Sequence, residues 1–151
     1  MNVAQICSRN VITVRKHDAV VAAAHLMREK HVGYLVVVEP DFTGATQRPI
    51  GVLTDRDIVI GVVAQDANPR NFRVEDVMTQ NPVVVSYSDT IAVALQEMRR
   101  VGARRVPVVG DLGELMGVLS LDEILDTLSS ELQNLAGAVR NERRVETELR
   151  P

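Results

Sequence analysis

The chain has 151 residues, 46% hydrophobic, 25% charged and 3% aromatic, with no Trp and a formal net charge of -3. This composition supports a packed aliphatic core and excludes an intrinsically disordered chain, and it offers neither the stacking platforms nor the basic excess that nucleic-acid binding requires. A single cysteine, Cys7, excludes an internal disulfide and a zinc-thiolate cluster and fits a reducing cytoplasm, while residues 1–10 lack a signal-peptide core and no apolar run nears the roughly 20 residues that span a bilayer.

In chain order, residues 11–14 form a short β-branched run that predicts a buried strand. Asp18 stands where an N-cap is wanted, before Val20, Ala24 and Met27 at helical spacing. Residues 35–38 and 50–53 are apolar runs that predict paired strands, joined by a polar loop over 39–49. Thr54 supplies a hydroxyl to open the next helix. The same order then returns. A strand is predicted over 83–85, Asp89 precedes Ile91, Leu95 and Met98, apolar runs follow at 106–109 and 115–119, and Ser120 opens the last helix.

The return is a true repeat. One shift lays residues 3–8 on 74–79 and 10–14 on 81–85, and pairs Ala23 with Ala94, Met27 with Met98 and Val37 with Val108. Past the polar loop, residues 51–54 align with 117–120. The reading is a first repeat over 1–64, a linker over 65–72, a second repeat over 73–126 and a C-terminal helical extension over 127–151 with a frayed end. One unit of roughly 55 residues is marginal alone, so the fold class is α/β of the α+β type: two pseudo-symmetric β-α-β-β-α units packed sheet to sheet around a pseudo-twofold axis. Leu121, Leu125, Leu128, Leu132, Leu135 and Val139 recur in steps of four and three, the spacing of a helix seam. Its later members need a second surface, and a homodimer is expected.

Duplication alone establishes architecture and not chemistry, so a scaffold without a ligand stands as one reading. The other begins at residues 51–57, Gly-Val-Leu-Thr-Asp-Arg-Asp, where a phosphate would meet free N–H groups at a helix start together with the Thr54 hydroxyl, and the Asp57 carboxylate would take both hydroxyls of a ribose. Thr54 and Asp57 equally suit a plain helix cap. In the second copy Glu123 replaces the aspartate. Arg99, Arg100, Arg104 and Arg105 form either a phosphate-binding patch or a solvated face. The three histidines have no metal-ligand spacing, Cys7 aligns with Met78 as a packing residue, and no nucleophile triad or Walker loop is present, so enzymatic activity is not expected.

The duplicated pattern, with Val-Glu-Asp-Val-Met-Thr and Asn-Pro-Val-Val-Val opening one copy and Gly-Val-Leu-Thr-x-x-Asp closing the other, resembles the CBS (cystathionine β-synthase) domain pair over residues 2 to about 126. The resemblance implies a regulatory module with no required cofactor, binding AMP, ADP, ATP or S-adenosylmethionine between its repeats and assembling as a homodimer that acts on a downstream effector. It places Asp57 on the ribose, Thr54 near phosphate and Thr13 and Val14 beside the base. Tyr34, Val84, Pro107, Ser120 and Glu123 complete the implied lining, with Arg104 and Arg105 on phosphate.

Overall fold

The computed structural model describes residues 1–150. The first copy runs β1 (Thr13–Val14), α2 (Val20–Lys30), β2 (Tyr34–Pro40), β3 (Gln47–Thr54) and α3 (Asp55–Gly61), and is preceded by α1 (Val3–Ile6). The second runs β5 (Val85–Ser86), α5 (Ile91–Val101), β6 (Arg105–Val109), β7 (Leu115–Ser120) and α6 (Leu121–Leu149), and is preceded by α4 (Val74–Val77) and β4 (Thr79–Gln80). In each copy the first strand pairs parallel with the second through a helical crossover, and the second pairs antiparallel with the third. The registers match: Val14 lies opposite Val37, and Val85 opposite Val108. The two sheets approach each other along β3 and β7.

Two aliphatic cores result. Val14, Ala23, Met27, Leu35, Val37 and Leu53 build the first, and Val85, Ile91, Ala94, Met98, Val106, Val108, Leu119 and Ile124 build the second. Each core is completed by the segment that leads into the other copy. Val3, with Ile6 and Cys7 beside it, packs into the second core, whereas Val74, with Val77 and Met78, packs into the first. Hydrogen bonds repeat the exchange: Val3 N–H donates to Asp89 O at 2.9 Å, and Val74 N–H to Asp18 O at 2.9 Å. Ser8 exchanges two backbone bonds of 2.9 Å with Val118, and β4 extends the first sheet beyond β3. Both junctions need a glycine, because a Cβ on Gly117 would sit 2.6 Å from Ser8 O and one on Gly51 would sit 3.0 Å from Thr79 O.

Three local expectations are corrected. Asp18 and Asp89 do not cap α2 and α5. Their carboxylates accept the N–H of Arg15 and Ser86, each at 2.8 Å, and so lock the turn after the first strand. Thr90 caps α5, accepting from Val93 N–H, and the α2 N-cap, Ala19, provides no side-chain bond. The polar loop of the first copy is shorter than expected, since Glu39 lies opposite Arg48 in the ladder and forms an ion pair with it. Finally, α6 does not fray after Arg140 but stays helical to Leu149. Arg, Glu and Leu are strong helix formers, and Thr147 Oγ1 donates to Arg143 O at 2.9 Å within that last stretch.

Candidate functional site

Both helices that follow the third strands open with a capping box. Asp57 N–H donates to Thr54 Oγ1 at 3.1 Å while Thr54 N–H donates to Asp57 Oδ2 at 2.9 Å. Ser120 and Glu123 repeat the arrangement at 3.1 and 2.9 Å, so the longer acid of the second copy performs the same local task. The first N–H groups of α3 are occupied by protein acceptors: Asp55 N–H by Gly33 O at 3.0 Å and Arg56 N–H by the Asp55 carboxylate at 2.8 Å. The expected cradle of free helical donors is therefore absent at this end. Side chains remain to hold an anion.

A cleft of about 580 Å³ lies on one side of the pseudo-twofold axis, between Tyr34, Thr54 and Arg56 of the first copy and Pro82, Val83, Arg104, Arg105 and Pro107 of the second. A smaller one, about 340 Å³, lies on the other side between Asn10, Val11 and Ile12 of the first copy and Ser120, Asp122 and Glu123 of the second, with Tyr34 and Arg105 at its back. Each cleft thus joins the cap of one copy to the leading segment of the other. The expected grouping of Thr54 and Asp57 with Thr13 and Val14, all from one copy, does not occur. The exchange of leading segments sets residues 81–83 opposite Thr54 instead.

Of the residues implied beforehand, Tyr34, Thr54, Arg104, Arg105 and Pro107 line the first cleft, and Tyr34, Arg105, Ser120 and Glu123 line the second. Thr13, Val14, Asp57 and Val84 line neither. Val14 is buried in the first core and Val84 is exposed beyond the rim. Sequence reasoning missed the cleft roles of Asn10, Arg56, Pro82 and Asp122. The Asn-Pro step at 81–82 was a visible signal for its side of the cleft, but the crossing of segments that brings it there was not.

Tyr34 and Arg105 are equivalent under the repeat, and both line both clefts. The Tyr34 Oη is buried with no hydrogen-bond partner among the described residues. Burial pushes its phenol well above the ordinary range, with the Arg105 charge opposing the shift, so it stays a neutral donor. The two clefts differ in charge. Arg56, Arg104 and Arg105 face Asp55 in the first, whereas Asp122 and Glu123 face Arg105 and His31 in the second. Arg104 and Arg105 reach Asp122 across the divide at 3.6 and 3.9 Å. Among the described residues no group of three or more His, Cys, Asp or Glu is placed to hold a metal, and no helix is long and apolar enough to cross a membrane.

Two α/β copies with exchanged leading segments and a polar cleft on either side of their axis define a tandem domain pair. The sequence profile of the CBS domain matches residues 3–63 and 74–130, and the chain belongs to the CBS domain family. An uncharacterised protein of Methanopyrus kandleri is 34% identical over 125 residues, covering 83% of this chain and 61% of the relative. A CBS domain-containing protein of Arabidopsis thaliana is 32% identical over 87% of this chain but 22% of its own length, so the chain spans less than two thirds of these curated relatives. Among solved structures, a protein with CBS domains from Burkholderia ambifaria matches with TM-score 0.73 and 32% identity, covering 85% of this chain and 93% of that one. The AMP complex of a CBS domain protein from Pyrobaculum aerophilum matches with TM-score 0.70 and 27% identity, covering 82% and 89%.

Proposed function

We propose that this chain is a regulatory module, without catalytic activity of its own, that senses an adenine nucleotide or related adenosyl ligand in the clefts between its repeats. The observation that carries this reading is the wall shared by both clefts: Tyr34, whose buried hydroxyl has no protein partner, and Arg105 both line a space of nucleotide size. The AMP complex of the Pyrobaculum aerophilum relative supports the same ligand class. In this reading Arg104 and Arg105 take phosphate, the Thr54 hydroxyl donates to it while accepting from its own helix, and residues 81–83 flank the base. Asp57 lines neither cleft and acts only through the capping box that fixes Thr54. A ligand bridging the copies shifts the module only if it prefers one arrangement of them.

We infer further that two copies of the chain associate through α6, where Leu132, Leu135 and Val139 lie exposed in one stripe. Leu132→Glu is expected to lower the mass seen by light scattering to that of a monomer. The ligand reading is tested by calorimetric titration with AMP, ADP, ATP and S-adenosylmethionine. At least one is expected to bind. Arg105→Ala is expected to weaken phosphate-bearing ligands by about tenfold or more, the weight of a charge-assisted hydrogen bond. Absence of heat and of any melting shift across the panel would instead favour a ligand-free interaction module built on the α6 stripe.

A further inference from the structure

Resting on that ligand reading, we propose that Asp122 is an internal counter-anion placed between the clefts, reserving the second cleft for an uncharged or cationic adenosyl group whenever a polyphosphate fills the first. The repeat shows why. Arg56 and Asp122 occupy equivalent positions, each the second residue of the helix after its capping residue, Thr54 or Ser120. Arg56 lines the first cleft and Asp122 the second, so one position carries opposite charge on the two sides of the axis. The arginine pair is unequal in the same sense, because Arg104 and Arg105 have Gly33 and Tyr34 as counterparts.

The ion pairs link the two sides. The Asp122 carboxylate places Oδ1 3.6 Å from Arg104 and Oδ2 3.9 Å from Arg105, spanning both arginines with one group. Those separations are longer than hydrogen bonds, and all three side chains are substantially exposed, so the contacts are weak and easily exchanged. A phosphate in the first cleft makes short, bidentate bonds to the same guanidinium groups and displaces the carboxylate. Asp122 then stands beside Glu123 with its arginine partners neutralised, and the second cleft presents two acids to an incoming ligand. At this range, within a screening length, a second polyphosphate is repelled and a sulfonium or neutral adenosyl group is admitted.

The experiment is calorimetry of the full chain with ATP, adenosine and S-adenosylmethionine, each alone and then with ATP held at saturation, for the natural sequence and for Asp122→Asn. The natural chain is expected to take one ATP per chain and still to bind adenosine or S-adenosylmethionine when ATP is saturating. Asp122→Asn, which leaves the Ser120–Glu123 capping box intact, is expected to tighten the first ATP by about threefold to fivefold and to admit a second. Arg104→Ala checks the mechanism from the other side, since it removes one of the paired arginines and should shrink the effect of Asp122→Asn. Two equal ATP sites in the natural chain, or an Asp122→Asn profile unchanged in affinity and stoichiometry, overturns the inference while leaving the ligand reading standing. Failure of all three compounds to bind overturns the inference, and failure of AMP and ADP as well overturns the ligand reading too.

Discussion

Val3 offers the sharpest test of the exchanged segments, because nothing in its own copy needs it. Its side chain is fully buried, and it lies in the core of the second copy. Val3→Ala removes two methyl groups from that site. At about 0.8 kcal/mol per buried carbon, plus a share for the cavity left behind, the loss should be about 2 to 3 kcal/mol. For a chain of this size that corresponds to a fall in melting temperature of roughly 5 to 10 °C. Val74, equally buried in the opposite core, should respond in the same way, and because the two sites share no core the double variant should be additive within about 0.5 kcal/mol. Urea unfolding followed by circular dichroism gives both numbers, provided a second probe confirms a single transition. A loss below about 0.5 kcal/mol for Val3→Ala, the size typical of a surface change, would refute the exchange.

Tyr34→Phe removes a buried hydroxyl that has no partner and is expected to raise stability by about 1 kcal/mol in chemical denaturation while weakening nucleotide binding in calorimetry. Gly117→Ala should destabilise more than Gly51→Ala, because its Cβ would meet the Ser8 carbonyl at 2.6 Å rather than the Thr79 carbonyl at 3.0 Å; thermal melts of the two variants give the order. Asp41 accepts hydrogen bonds from Thr46 and Thr43, which lower its carboxyl from 3.8 to about 2. A folded value below the unfolded one means that its contribution is present above about pH 3.8 and is lost as pH falls through about 2. Carbon-detected NMR titration of the loop should show that low midpoint, and Thr46→Ala should move it upward.

Much of the architecture was legible because the two copies check each other. A single run such as 106–109 is ambiguous, but the same run at 35–38, at the same distance from a helix of equal length, fixes both as strands. Hydroxyl caps at Thr54 and Ser120 were readable for the same reason, as local chemistry in a repeated frame. Asp18 and Asp89 misled because an acid just ahead of a helix can close the preceding turn as readily as cap the helix, and only the backbone path distinguishes the two. The clefts were legible in part. Local spacing identified Thr54 and the arginine pair, but which leading segment faces which cap depends on residues far apart in sequence. No periodicity encodes that pairing, and it is residues 81–83, not Thr13 and Val14, that line the cleft with Thr54. The length of α6 was obscured by the end of its apolar stripe, although helix propensity alone carries the chain to Leu149.

The reciprocal insertion of α1 and α4 bears on how such a molecule can arise. A gene encoding one unit alone would produce a leading peptide with no sheet of its own to join and a core lacking its final valine. Two such chains could complete each other only by meeting in solution, at whatever concentration the cell maintained. Tethering them through residues 65–72 converts that meeting into an event within one molecule, at an effective concentration on the order of millimolar. Fusion would then release the two halves from being identical, and opposite charges at Arg56 and Asp122 are a divergence that a symmetric ancestor could not have held.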